Sequence, residues 1–260
     1  MGVEFTEIPA AFGGVHIAIL IGAAALCAAL WFVFRRMEDK KLIRVLFIFG
    51  AAMILAEVWK QWFVVKYVYK GGPSAWFFPW QLCSMAMYCS AAVPFLKGRA
   101  REAVLVFLAS FSLVAALAAL VFPGDMLRPQ ILLFCHSFLY HTVMVLESLI
   151  AIRLLLRRER AYFLPAAGMF LVMAAVAEVI NVITHALIGE RGHASNMFNI
   201  TPYYPTTQPV FGEIALRLGV IPEIFIYLGF ITLLSFLIHV GIRAAAGRAR
   251  RNTVQNPAGM

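Results

Sequence analysis

The sequence predicts an all-α, polytopic membrane protein with seven transmembrane helices, on the evidence of its composition and of the length of its apolar runs. Of 260 residues, 62% are hydrophobic and 13% are charged, and the mean hydropathy is +0.84. A soluble domain carries about 25% charged residues. A helix needs roughly 20 apolar residues to cross about 30 Å of hydrocarbon. Seven such runs occur, at residues 15–34, 42–65, 77–96, 103–122, 131–152, 162–188 and 214–239.

Each run is expected to be helical, because hydrocarbon offers no partners for backbone amides and the sequence lacks the alternation typical of membrane barrels. The first run follows Glu4 and Glu7 and precedes Arg35 and Arg36. That charge order is the reverse of a signal peptide, so the run is predicted to remain as the first helix. The four cysteines all fall within runs, and they therefore predict no framework of loop disulfides.

The basic residues predict the orientation of the chain in the membrane. Sixteen Lys and Arg flank the runs on one side, five lie on the other side, and Lys60 lies within a run. Basic residues are retained on the cytoplasmic side. We therefore expect the N-terminus outside and the C-terminus inside, in a multi-pass protein of a cell membrane, the bacterial inner membrane being the expected location.

The net charge of +9 does not predict nucleic-acid binding, because the basic clusters sit beside the runs. There they face anionic headgroups, each attracted by about 1 kcal/mol. Membrane lipids are the expected partners, together with a small-molecule or lipid substrate, and the sequence indicates no oligomeric state.

The long outer loop and the C-terminal tail differ in composition from the apolar runs. Residues 1–243 are predicted to form one transmembrane domain with a long outer loop at 189–213, whose Gly, Asn and Pro residues break helices. A loop of this length is typically functional or disordered, so a cover over the outer mouth and a mobile linker are both retained. Residues 244–260 are predicted to form a disordered, basic cytoplasmic tail.

Ionisable groups within the runs point to a site, because each costs about 2.5 to 3.5 kcal/mol to insert. Glu57 and Lys60 are three residues apart and can form an ion pair. A helical spacing places Glu178, Asn181 and His185 on one face. A structural ion pair and interhelical hydrogen bonds are the alternative interpretations.

The depth of these groups suggests that they share a cavity. Cys83, His136 and His141 lie in the outer half of their runs, as do Glu57 and the group at 178–185. Four helices would thus place their polar groups at one level. We expect one polar cavity that opens outward beneath the outer loop.

A cysteine and a histidine at similar depth suggest nucleophilic catalysis, in which a thiolate forms a thioester with an acyl group. Glu178 or Asn181 could orient the histidine. Taken alone, Cys83 is more typical of a packing residue. His136 and His141 lie about 140° apart around a helix, so no metal site is predicted, and no cofactor is expected.

Several of these segments resemble the YwaF-like integral membrane family. They are Pro79 to Ser84, the Glu57-x-x-Lys60 pair, His141 before an apolar run, and Asn181 ahead of Asn196-Met197-Phe198. Animal relatives of that family include an acyltransferase that makes ether phospholipids with a cysteine in the matching motif. The resemblance implies a seven-helix fold and acyl transfer through Cys83, with His141 as the base.

Two positions depart from the family pattern. The usual histidine two residues before the cysteine is Gln81, and the usual Asn-Tyr pair is Asn196-Met197. A proton-handling group is therefore missing at Gln81, and His136 is a candidate to replace it. The predicted substrate-binding residues are Glu57, Lys60, Gln81, Glu178, Asn181, His185 and Asn196.

The sequence leaves two other functions open and excludes a third. A carrier or receptor for a small polar ligand would use Glu57, Lys60, Glu178 and the histidines. A structural membrane protein would use its polar groups only to hold helices together. A retinal protein is excluded, because residues 214–239 contain no lysine for a Schiff base.

Overall fold

The computed structural model describes residues 4–70, 75–158, 161–189 and 194–255. The described chain is helical, apart from loops and one isolated β-bridge between Glu4 and Gln130. The helices are α1 (Gly14–Phe34), α2 (Asp39–Phe63), α3 (Met85–Ala92), α4 (Gly98–Phe107), α5 (Leu113–Val121), α6 (Ile131–Leu156), α7 (Phe163–Ile188), α8 (Phe211–Leu218) and α9 (Val220–Gln255).

Short turns of other helix types extend or join some of these helices. A π-helical turn, Val64–Val68, continues α2, and another, Leu108–Ser112, joins α4 to α5. Within the described ranges, six helices are long and apolar enough to cross a bilayer: α1, α2 with its π turn, α4 with α5, α6, α7 and α9. The predicted all-helical membrane protein is confirmed at this level.

The predicted third run, residues 77–96, is not one continuous helix. It is helical only over Met85–Phe95, as α3 followed by a 3₁₀ turn. Pro79 accounts for the difference, because proline has no amide donor and disfavours helical geometry in the residue before it. Residues 75–84 instead form successive turns, with Ser84 N donating to Gln81 O at 2.9 Å.

The predicted last run, residues 214–239, contains a break. It is divided between α8 and α9 at Gly219, whose φ of +93° suits glycine, and Pro222 follows in the first turn of α9. Downstream, α9 is helical through Gln255, although disorder was predicted from residue 244. Its Ala and Arg residues between 243 and 251 favour a helix. Residues 256–260 lie outside the described residues.

The two ends of the bundle differ in their contacts. At one end, which we call the basic end, Arg157 bonds Asp39, and the Arg153 guanidinium donates to Arg35 O at 2.8 and 3.0 Å. At the opposite end, Phe5 N donates to Pro129 O at 2.9 Å. The contacts at both ends of the bundle thus connect elements that are distant in sequence. Between α2 and α4 the chain runs from the opposite end back to the basic end.

Helix α3 lies close against α2 because residue 50 is a glycine. A Cβ atom on Gly50 would lie 2.5 Å from the amide nitrogen of Ala91 and 2.8 Å from the carbonyl oxygen of Met87. Such distances are shorter than real Cβ contacts, so only glycine permits this approach. The approach fixes the segment that precedes α3, which carries Cys83.

Candidate functional site

A cavity of about 940 Å³ lies among α2, α5, α6, α9 and the segments before α3 and α8. It brings together most of the predicted site residues. Those that line it are Glu57, Lys60, Gln81, Cys83, His136, His141 and Asn196. Groups from α2, the third segment, α6 and the outer loop therefore meet in one space.

Helix α2 contributes an ion pair to the cavity wall. Lys60 Nζ lies 2.7 Å from a carboxylate oxygen of Glu57, and the Gln61 amide donates to the other oxygen at 2.6 Å. Gln61 also donates to Phe77 O, which connects α2 to the segment before α3. The wall thus carries a positive and a negative group whose charges compensate each other.

Cys83 sits at the end of the irregular segment, directly before α3. It is a free, half-buried thiol that lines the cavity. Two hydrogen bonds anchor this segment: Trp80 Nε1 donates to Met173 O at 3.2 Å, and Tyr88 Oη donates to Pro79 O at 3.0 Å. The helix break at Pro79 therefore places the thiol at a fixed point of the wall.

The two histidines of α6 have different environments. His141 is buried, and its Nδ1 lies 2.7 Å from Ser137 O. A carbonyl oxygen only accepts, so Nδ1 carries the proton and Nε2 of the neutral ring has a free lone pair. His136 packs between Trp59 and Tyr140, with ring centroids 5.8 and 5.6 Å away. The Nε2 atom of His136 has no hydrogen-bond partner among the described residues either, so both histidines are candidates for the base.

The predicted group on α7 does not line the cavity. Asn181 is fully buried and holds the outer loop: its Oδ1 accepts Met197 N at 2.6 Å and Ser195 Oγ at 3.1 Å. Glu178 is half-buried beside it, and His185 stacks on Tyr203 at 3.6 Å. Nδ1 of His141 bonds the backbone oxygen of Ser137, whereas the side chain of Asn181 bonds the outer loop. That Glu178 or Asn181 orients the histidine stays a prediction, and no contact among the described residues supports it.

The described part of the outer loop, residues 194–213, packs onto the bundle. Ser195, Asn196, Met197, Phe198 and Thr201 are all buried. The loop lies against the third segment through Gln81, whose amide nitrogen donates to Asn196 O at 3.2 Å and whose oxygen accepts Phe198 N at 3.0 Å. Gln81 therefore connects two parts of the cavity wall.

Two further features stabilise this loop. Asn196 Oδ1 accepts Thr201 N at 3.1 Å, which closes a tight turn through Phe198 and Asn199, both at positive φ. Burial raises the pKa of Tyr204, so its phenol keeps its proton and donates to the carbonyl oxygens of Ala194 and Ser195. Residues 190–193 of the predicted loop lie outside the described residues.

The model of the TMEM164 family, a family of transmembrane proteins, matches residues 11–243 of the chain. The chain belongs to the TMEM164 family. The matched range contains every residue that lines the cavity. No curated protein and no solved structure matches the chain.

In this TMEM164 family member, several lining residues were not predicted from the sequence. Tyr140 lies next to His141, is buried, and has no partner for its hydroxyl among the described residues. Tyr227 of α9 and Arg128, before α6, also line the cavity. The spacing of four between His136 and Tyr140 places both on one face and was the available signal for Tyr140.

The described residues of this family member contain no cluster of three or more His, Cys, Asp or Glu side chains that could hold a metal ion. The polar groups of the cavity wall include a thiol, two imidazoles, two phenols, a guanidinium and an ion pair. A thiol and an imidazole are side chains that can serve as nucleophile and base.

Proposed function

We propose that this chain is a membrane-embedded acyltransferase that uses Cys83 as its nucleophile, His141 as its base and a phospholipid as its acyl donor. The observation that carries the proposal is that Cys83, His141 and Tyr140 line one cavity within an apolar bundle. The resemblance of the segment at 79–84 to a motif with a catalytic cysteine in animal acyltransferases supports it further.

In the first half-reaction the acyl group moves to the protein. His141 Nε2 takes the proton of Cys83 Sγ, and the thiolate attacks the carbonyl carbon of a phospholipid ester. The carbon–oxygen bond to glycerol breaks, and the glycerol oxygen takes the proton from His141. The products are a lysophospholipid and a thioester on Cys83.

In the second half-reaction the acyl group leaves. The hydroxyl of a lysolipid, or water, gives its proton to His141 Nε2 and attacks the thioester carbon. The carbon–sulfur bond breaks, and the thiolate takes the proton from His141. A lysolipid acceptor gives a new phospholipid, whereas water gives a fatty acid.

The remaining lining groups would stabilise charge in both steps. The Tyr140 hydroxyl has no described partner, so it can donate to the oxyanion that forms on the carbonyl oxygen. Lys60 can donate a hydrogen bond to the same oxyanion, while Glu57 holds the ammonium group in place at 2.7 Å and balances its charge. Gln81 positions the outer loop through two hydrogen bonds. Its side chain cannot take up a proton, so in this proposal His141 acts as the base in both steps.

We also propose that the chain crosses the membrane seven times, with its N-terminus outside and the end of α9 inside. The third crossing would combine the turns at 75–84 with α3. Contacts at the basic end support this topology, because Arg153, Arg157 and Arg243 all bond there. The cavity would then lie in the outer half of a cell membrane.

The test of the acyltransferase is exchange of a labelled acyl chain between a phospholipid and a lysophospholipid in proteoliposomes. Cys83→Ala is expected to abolish exchange. Cys135→Ala is the matched control, because Cys135 is exposed on α6 and does not line the cavity. Exchange at the wild-type rate by Cys83→Ala, or no exchange by the folded wild-type protein, would overturn the proposal.

A further inference from the structure

The cavity has an apolar arm that runs between α5 and α9, away from the polar groups. We define this apolar arm by its lining residues on the two helices. On α5 they are Val114, Ala115, Leu117, Ala118, Ala119 and Val121, and on α9 they are Ile226, Phe230, Ile231, Leu234, Leu237 and Ile238. Three of the six α5 residues are alanines, and they lie across the space from larger side chains of α9.

The arm is open to the side of the bundle. Leu117 is 45% exposed, Phe230 is 46% exposed and Leu237 is 55% exposed, although all three line the cavity. In a membrane these exposed apolar side chains face lipid. A lipid chain can therefore enter between α5 and α9 without leaving hydrocarbon.

The length of the arm matches one acyl chain. At 1.5 Å per residue, the lining residues cover about 18 Å along α9, from Ile226 to Ile238, and about 11 Å along α5, from Val114 to Val121. One leaflet contributes half of the roughly 30 Å hydrocarbon core, which is the span of a single chain.

Arg128 lines the cavity and is a cation with no ion-pair partner among the described residues. Arg128 Nε donates to Asp125 O at 2.9 Å, and the guanidinium carbon lies 5.1 Å from the centroid of the Phe77 ring. Within the described part of the chain Arg128 forms no ion pair, whereas Lys60 is neutralised by Glu57. The two terminal amino groups of Arg128 can therefore bind an anion, and the planar guanidinium suits phosphate.

We infer that the apolar arm binds one acyl chain of a phospholipid while Arg128 binds the phosphate of the same molecule. This inference rests on the proposed function and names the groups that select its substrate. The ester between chain and headgroup would then lie in the polar part of the cavity, where Cys83 and His141 are. Ala118 lines the arm with a single methyl group, and Ile238 is the last lining residue of α9 toward the basic end.

The shape of the arm, rather than its hydrophobicity, is expected to decide which acyl chains bind. Moving a chain from lipid into an apolar protein surface gives no hydrophobic gain, because lipid tails are as apolar as the side chains. Binding therefore depends on packing along the arm and on the charge at Arg128. Changing the width or the far end of the arm should shift which chain lengths fit.

The experiment measures thermal stabilisation of the purified protein by lysophosphatidylglycerols of increasing chain length, in wild type and in Cys83→Ala. Stabilisation is expected to rise with chain length and then level off. Ala118→Phe should move this plateau to shorter chains and Ile238→Ala should move it to longer ones. Ala175→Phe is the control, because Ala175 is exposed on α7 and does not line the cavity.

The headgroup half of the inference is tested in the same assay. Arg128→Gln should weaken binding about tenfold at every chain length. It should leave the binding of uncharged monoacylglycerols unchanged. Arg217→Gln is the matched control, since Arg217 is exposed on α8 outside the cavity.

The inference is overturned if Ala118→Phe and Ile238→Ala both keep the wild-type plateau, or if Ala175→Phe shifts it equally. It is also overturned if Arg128→Gln and Arg217→Gln behave alike. Because binding is read without turnover, a shift of the plateau in the Cys83→Ala background combined with no acyl exchange by the wild-type protein would disprove the acyltransferase and leave the lipid site standing.

Discussion

Tyr140 is the side chain whose role follows most directly from its surroundings. A buried phenol without a partner is costly, so its hydroxyl is expected to meet a group that is absent from the described structure. The oxyanion of an acyl-transfer intermediate is such a group. The hydroxyl would then stabilise the transition state more than the bound substrate.

Tyr140→Phe is therefore expected to lower the maximal rate of acyl exchange by about a hundredfold, with little change in KM. Initial rates in proteoliposomes at several lipid concentrations give both values. Tyr162→Phe is the control, because Tyr162 is half-exposed at the basic end. A Tyr140→Phe protein with the wild-type maximal rate would remove Tyr140 from the mechanism.

Asn181 and Glu178 are neighbours on α7, and alanine substitutions at the two positions are expected to have different effects on stability. Asn181→Ala leaves the buried amide of Met197 without its acceptor, which should lower the free energy of unfolding by about 1–3 kcal/mol. Glu178→Ala should change stability by less than about 0.5 kcal/mol and retain acyl exchange. Thermal unfolding in detergent and the exchange assay check both. Loss of small-ligand uptake in Glu178→Ala at unchanged stability, with uptake retained in Cys83→Ala, would favour the carrier hypothesis instead.

The contact between α2 and α3 determines where the nucleophile lies. Gly50→Ala is expected to destabilise the protein by about 1–3 kcal/mol, because its methyl group would overlap the backbone of Ala91 and Met87. Gly22→Ala is the matched control, since a Cβ on Gly22 meets no atom within 4 Å. Equal melting temperatures for both variants would mean that the two helices are not in tight contact.

The sequence predicts the helices well where apolar runs are uninterrupted, as in α1, α6 and α7. It fails at residues 75–84 and at Gly219, because an apolar run looks the same whether it is one helix or a turn followed by a shorter helix. Proline and glycine were the local signals in both cases.

For the site, depth along a helix could be counted from the sequence, and it brought Glu57, Cys83, His136 and His141 to one level. Rotation about the helix axis could not be counted, because it depends on packing against neighbours. The group at 178–185 therefore faces the outer loop rather than the cavity, which its position along the helix does not indicate.

The bundle as a unit has one basic end, and this asymmetry predicts its orientation in the membrane. A fluorescent protein fused after residue 260 should fluoresce, and alkaline phosphatase fused at the same point should be inactive, because the C-terminus is expected in the cytoplasm. The same enzyme inserted near Glu7 should be active. Active phosphatase at the C-terminus would reverse the topology and place the cavity in the inner half.

The proposed acyltransferase activity depends on a covalent step at the sulfur atom of Cys83. The most direct measurement is the mass of the purified protein, and of its Cys83 peptide, after incubation with a phospholipid of defined acyl chains. We predict an added mass equal to one acyl group on Cys83 that neutral hydroxylamine removes, with none on Cys135. Continued acyl exchange with no adduct on Cys83, or an adduct that forms equally in His141→Ala, would contradict the mechanism.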